Sequence, residues 1–265
     1  MCTSIKVLFI LIAIFASILI TPSYTWNQHQ EANLDLQTNN TRVAIPPIWA
    51  KKYGSPLYNI EVVNDDQYIV AGVYSNDFLV FKIDQHGYVV WRKAYGGSSN
   101  DYVYDVEVTD DGGYIVIGYT YSFGYYDMWA LKLNENGDIV WQKAYGGNSY
   151  DYAYDVEVTN DGGYIIVGST YSFGFGGYDI WVLKLDQYGN IVWQKVYGGD
   201  RNDWAYDVEI TYDGYIIIGY SYTSSYDGYL LIIKLDENGN IIWQKTYVGS
   251  GYHYAYGVCL LYTSP

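Results

Sequence analysis

The chain is poor in the residues that most often name a reaction. Its 265 residues include two cysteines, Cys2 and Cys259, one at each end. The body therefore has no cysteine pair, and packing rather than a disulfide framework must hold it. There are three histidines. His29 falls in a polar N-terminal stretch, His86 in a hairpin turn, and His253 where other units carry Asp, so each reads as a surface residue rather than a general base. No His/Cys cluster has zinc spacing, no Gly-x-Ser-x-Gly elbow occurs, and no phosphate loop is present. Nothing in the residues calls for a cofactor. Basic side chains are scarce as well, 14 against 29 acidic ones, for a formal charge of −15. That charge repels a phosphate backbone and an anionic lipid surface alike, which excludes nucleic acid as a partner.

Long apolar runs are limited to one, residues 7–20, preceded by Lys6 and followed by "TPSYT". Fourteen residues fall short of a spanning helix and match a signal-peptide core, so residues 1–25 read as a signal peptide, with an uncleaved N-terminal anchor as the alternative. The expected location is secreted or anchored at the cell surface, with the membrane reached only through that segment. Residues 26–42 are polar, lack periodicity and read as a linker. They include the acceptor pattern Asn39-Asn40-Thr41, a weak signal alone.

What the chain has in excess is tyrosine and glycine, 35 and 28 residues, in place of the usual helix formers. This is a strand-and-turn composition. Trp91, Trp141, Trp193 and Trp243 recur at near-constant spacing, each followed by Gln or Arg and then Lys. A period of about fifty residues marks a propeller, solenoid or array. Each unit runs "YAYDVEVT", "DGGYIIVGST", "YDIWVLKLD", "NIVWQKVYGG", four strand-length segments separated by turn signals, which gives a four-stranded antiparallel sheet. The second strand is apolar on both faces and should be central. The last alternates, with Ile191, Trp193, Lys195 and Tyr197 on one face, and should be an outer strand whose Trp covers the next unit. Turns recur at Thr159 to Gly163 and at Asp186 to Asn190, with Gly189 where a left-handed residue closes the loop.

The expected fold is all-β, a propeller of four-stranded antiparallel blades at about 58–95, 104–146, 154–198 and 206–248 within a domain of 43–265. Residues 43–54, matching a last strand, and 252–258, beginning as a first strand, are leftover half-blades of the kind that pair to close a ring. After Val258 the pattern breaks, and residues 259–265 read as foreign to the protein, like translated adapter sequence. The chain is accordingly expected to be a fragment of a larger ring.

The pattern "DGGYIVxGxTxSFGxxDxWxLKLDxxGNIxWQKxYGG" resembles the secreted β-propeller repeat proteins of archaea and bacteria, over about Trp49 to Val258. The resemblance implies an exported propeller, often without a known activity. More distantly, "LDQYGNIVW" is similar to the tryptophan-docking motif of quinoprotein dehydrogenases, with Asp186, Gly189 and Trp193 in the matching roles and one residue fewer between Asp and Gly. It implies blade packing and nothing catalytic. A quinone-dependent dehydrogenase lacks support, since no vicinal cysteine pair is present.

Two sets of residues carry candidate chemistry. Between the second and third strands, Tyr121, Phe123, Tyr125, Tyr126, Tyr171, Phe173, Phe175, Tyr178, Tyr222 and Tyr226 gather at one end of the sheets. Such rings either form a platform on which sugars stack or pack on one another and stiffen the loops. On the first strands, Asp105 with Glu107, Asp155 with Glu157 and Asp207 with Glu209 share a face that lines a propeller's channel. Oxygen-rich rings suit Ca²⁺, but an acid and a base recurring in every unit read as a structural network. Pairing with Lys132, Lys184 and Lys234 or with Lys143, Lys195 and Lys245 is therefore the expectation, and no metal or catalytic residue is assigned. The turn at Asp236, "DENGN", reads as a plain hairpin because its glycine comes too early for a calcium loop.

The sequence points to a non-enzymatic binding or scaffold module at the cell surface, for glycans or surface proteins. The alternative is an extracellular propeller enzyme, a glycan hydrolase or lyase using channel carboxylates. An asymmetric acid pair with raised pKa would favour the enzyme, and a symmetric set of acids paired with lysines the scaffold.

Overall fold

The computed structural model describes residues 35–38, 41–44, 53–224, 227–247 and 257. The apolar run 7–20, the half-blade 252–258 apart from Gly257, and the tail 259–265 lie outside the described residues. Across the end of the stretch read as a linker and into the expected half-blade 43–54, β1 (Asp35–Thr38) and β2 (Thr41–Ala44) pair antiparallel.

The rest is four antiparallel sheets of four strands each, in sequence order. The first holds β3 (Leu57–Asn64), β4 (Gln67–Tyr74), β5 (Asp77–Asp84) and β6 (Val89–Tyr95). The second holds β7 (Asp101–Val108), β8 (Tyr114–Thr120), β9 (Asp127–Leu133) and β10 (Ile139–Tyr145). The third holds β11 (Asp151–Val158), β12 (Tyr164–Thr170), β13 (Asp179–Leu185) and β14 (Ile191–Tyr197). The fourth holds β15 (Asp203–Thr211), β16 (Gly214–Ser224), β17 (Asp227–Leu235) and β18 (Ile241–Tyr247). The hairpin turns follow the residues. At Gly189, φ is 73°, and its N–H donates to the Asp186 carbonyl at 3.0 Å.

The first strands β3, β7, β11 and β15 neighbour one another in succession, and β7, β11 and β15 each also pack across the second and third strands of the preceding sheet. First strands are therefore innermost and last strands outermost. The four sheets are blades of a β-propeller.

Cores lie between the blades. Ile115 and Ile117 of β8 join Trp181 and Leu183 of the next blade, whereas Tyr114 and Val116 join Phe78 and Val80 of the previous one. This double burial is why the second strand is apolar on both faces; each such side chain contributes about 2 kcal/mol. The outer strand then locks the joint. Trp141 Nε1 donates to the Gln187 carbonyl at 3.0 Å, and Tyr145 Oη to the Gly189 carbonyl at 2.7 Å. A Cβ on Gly189 would sit 2.9 Å from the Trp141 ring. Trp91 and Tyr95, and Trp193 and Tyr197, repeat these bonds to Glu135 and Gly137 and to Glu237 and Gly239. Tyr53 makes the same bond to Gly87 at 2.9 Å.

Candidate functional site

The loops that carry the expected aromatics are fixed to the joints between blades. Asp151 is fully buried and accepts Ser172 Oγ at 2.7 Å, Gly147 N at 2.9 Å and Thr170 Oγ1. Asp101 repeats this with Ser122, Gly97 and Thr120. Backbone bonds add to the clamp, from Tyr121 N to Asn100 O at 2.9 Å and from Tyr171 N to Tyr150 O at 2.7 Å. Each Asp thus ties a β8–β9 type loop to the chain entering a first strand.

So clamped, the loop aromatics divide. Tyr126 packs against Tyr121 at 4.4 Å between centroids and reaches Tyr119 and Tyr150. Tyr178 meets Tyr171, Tyr152 and Trp204 in the same way, and Tyr222 meets Trp204 and Tyr220. Phe123 and Phe173 turn the other way, onto Trp129 and Trp181. Phe123 also helps line a small rim cavity of about 230 Å³ with Gln142 and Lys143. Tyr125 and Phe175 stand out into solvent, 65% and 82% exposed. Tyr226 lies outside the described residues. The nine described positions thus form no single platform.

The sequence reading missed the part that joins the tyrosines together. In β7 the register slips between Val103, opposite Gly118, and Asp105, opposite Ile117, so Tyr104 is an unpaired bulge residue. The same slip places Tyr58, Tyr154 and Tyr206 at bulges of β3, β11 and β15. Bulges re-aim side chains. These four rings pack side by side at 5.8, 5.1 and 5.6 Å, and together they line a cavity of about 350 Å³ at the propeller axis. Tyr104 contacts Tyr119, and Tyr152 contacts Tyr154, so the aromatic surface runs unbroken from the loops to the axis. A sequence signal was present. Gly118, Gly168 and Gly219 sit inside apolar strands, and a Cβ there would press within about 2 Å of the carbonyl opposite. Glycine within a strand marks such close approach.

One step further into the channel lies a layer of acids. Asp105 accepts the Asn59 amide of the preceding blade, Val106 N at 2.8 Å, and Val156 N of the following blade at 3.0 Å. Asp155 likewise accepts Val208 N at 2.7 Å. Asp105 and Asp155 therefore join blades. Beyond them come Glu61, Glu107, Glu157 and Glu209. Burial, and after it the charge of Asp105, pushes the Glu61 carboxyl up to about 7. Burial and then Glu209 push Glu157 up to about 8, and Glu107 is raised well above the usual carboxylate range by burial and then Asp105.

The expected lysine pairing is not what forms. Lys132, Lys184 and Lys234 instead reach the hairpin-turn acids Asp111, Asp161 and Asp213 at 2.9, 2.8 and 2.7 Å. Lys143 crosses to Asn190 of the next blade at 2.8 Å. The reason is position: these lysines leave the third and fourth strands, away from the axis. The Asp236 carboxylate is spent on Asn238 N and Asn240 N at 2.9 and 2.7 Å, as a plain hairpin requires. Among the described residues, no three His, Cys, Asp or Glu side chains gather as a metal site.

No protein-family model matches the chain, and no curated protein matches it. Among solved structures it is similar to the WD40 domain of Neurospora crassa Pan2, at 16% identity and a TM-score of 0.48, over 78% of this chain and 56% of that one. It is also similar to a variant of the Synechocystis apocarotenoid oxygenase, at 12% identity and a TM-score of 0.46, over 84% of this chain and 57% of that one. The chain spans little more than half the length of these structures.

Proposed function

We propose that this propeller is a non-enzymatic binding module, exported to the cell surface, whose aromatic end recognises glycans or surface proteins. The observation that carries the reading is the unbroken run of rings from Tyr121 and Tyr126 through Tyr119 to the axial Tyr104. Tyrosine supplies both a flat face for a sugar ring and a hydroxyl for its polar edge. The run sits on loops clamped by buried aspartates, so little ordering entropy is lost on binding. Export rests on the apolar run at residues 7–20.

The test is a glycan array probed with the purified protein. Specific binding that falls about tenfold or more in Tyr126→Ala and Tyr178→Ala supports the reading, while Phe175→Ala, out on the rim, leaves it unchanged. An array silent at every position, with surface proteins also failing to bind, would sink it.

A second reading, a glycan hydrolase or lyase, has one observation in its favour: Glu61 and Glu157 in the channel have raised pKa, from burial and then from neighbouring carboxylates. Against it, the same Glu recurs in each of four blades, with no division into one acid and one base. Release of reducing sugar from polysaccharide that disappears in Glu157→Gln would establish the enzyme.

A further inference from the structure

We propose that the axial tyrosine cavity binds a quaternary ammonium group, held between the rings of Tyr58, Tyr104, Tyr154 and Tyr206 above the channel acids. The inference rests on the binding-module reading and names the ligand class for its deepest part. Four rings bound one cavity of about 350 Å³, within the range of small-molecule sites. Neighbouring rings meet at interplanar angles of 62°, 71° and 51°, so they wrap around the space rather than lying flat as one platform. A ring face is the negative end of the aromatic quadrupole and attracts a cation, and enclosure by several rings is how methylated ammonium groups are recognised.

Charge selects the same ligand. Along each first strand, the residues beyond the bulged tyrosine turn acids toward the axis: Glu61 on β3, Asp105 and Glu107 on β7, Asp155 and Glu157 on β11, Asp207 and Glu209 on β15. The charges acting on Glu61, Glu107, Glu157 and Glu209 are other carboxylates, since the repeated lysines are turned outward. An anion would meet repulsion from the whole −15 chain. A plain ammonium would have to give up strong hydration, whereas a methylated one is weakly hydrated and fills a ring-lined space with its methyl groups.

A bound cation would also stabilise the ionised form of the acids beneath it. Because burial raises Glu61 to about 7 and Glu157 to about 8, binding at neutral pH releases protons, and affinity climbs as pH rises through that range.

The test uses the full chain, isothermal calorimetry, choline as probe and its neutral isostere 3,3-dimethylbutan-1-ol as control. Saturable choline binding is expected, at least about tenfold tighter than the isostere and tightening between pH 6 and 8.5. Tyr104→Leu and Tyr154→Leu should each weaken it about tenfold, while Tyr104→Phe and Tyr154→Phe, which keep the face and lose the hydroxyl, should hold it within about threefold. Near-ultraviolet circular dichroism of each variant separates loss of the site from loss of the fold. A trimethyl-lysine peptide and phosphatidylcholine vesicles, tested alongside, tell a protein source of the group from a lipid one. Equal affinity for choline and its isostere, or no choline binding at either pH, overturns the proposal. A glycan array that stays positive in that case leaves the binding-module reading intact; a silent array removes both.

Discussion

Lys184 keeps its side chain 6% exposed, with its ammonium on both Asp161 oxygens at 2.9 and 2.8 Å and on the Leu185 carbonyl at 3.1 Å. The Asp161 side chain, by contrast, is 62% exposed. Removing the lysine leaves a carboxylate that water can solvate, whereas removing the aspartate leaves a buried ammonium with a single carbonyl. Asp161→Ala should therefore destabilise the protein more than Lys184→Met, by about 1–2 kcal/mol in urea titrations. Equal losses would mean that the ammonium finds water in the variant. Burial raises the Asp161 carboxyl, but bonds from Lys184, Thr159 and Gly163 outweigh it and bring it to about 2. A depressed acid contributes stability above its unfolded pKa near 4, and this contribution is lost as pH falls toward 2. The pairing of Lys132, Lys184 and Lys234 could not be read from spacing. Each lies on a third strand, and whether it reaches a turn or the channel depends on where the strand sits relative to the axis.

At the scale of the strand, β3, β7, β11 and β15 concentrate acids whose pKa is raised, and the sign of the effect on stability is opposite. For Glu157 the folded value is about 8 against an unfolded one near 4.3. The folded state holds the proton more tightly, so this stability is complete below about pH 4 and drains away as pH climbs to 8. The melting temperature is expected to fall between pH 5 and 8.5, and Glu157→Gln should flatten the fall; a flat wild-type profile would show that water screens the channel. Most of the strand assignment was open to inspection, because Trp spacing, Gly turns and doubly apolar second strands are local signals. The axial tyrosines were not. Strict alternation puts Tyr104 and Asp105 on opposite faces, and only the bulge, a property of pairing between two strands, brings both toward the axis.

Taken as a whole, the molecule is a series of blades in which each joint uses an interleaved core and a docked Trp–Tyr pair, and the second and third joints add an aspartate that accepts a backbone N–H from the next first strand, where the first joint has Asn59 donating to Asp105. In such quasi-linear arrays, damage at one interface stays near it. Asp155→Ala strands the Val208 N–H and should speed amide exchange in β15 and β16 about tenfold while leaving β4 and β5 unchanged, as read by hydrogen exchange and mass spectrometry. Acceleration throughout would instead show that the blades open as one unit. The chain's residues by themselves determined the repeat, the four-stranded sheets, their order and the outer position of the tryptophan strand. These follow from hydrophobic period and turn chemistry, which act within a few residues. Only the tertiary structure decided that the loop aromatics split between axis and rim, that Lys132, Lys184 and Lys234 reach the hairpin-turn acids, and that four bulged tyrosines meet. Those outcomes depend on how neighbouring blades face a common axis, a relation between segments about fifty residues apart that no local pattern encodes.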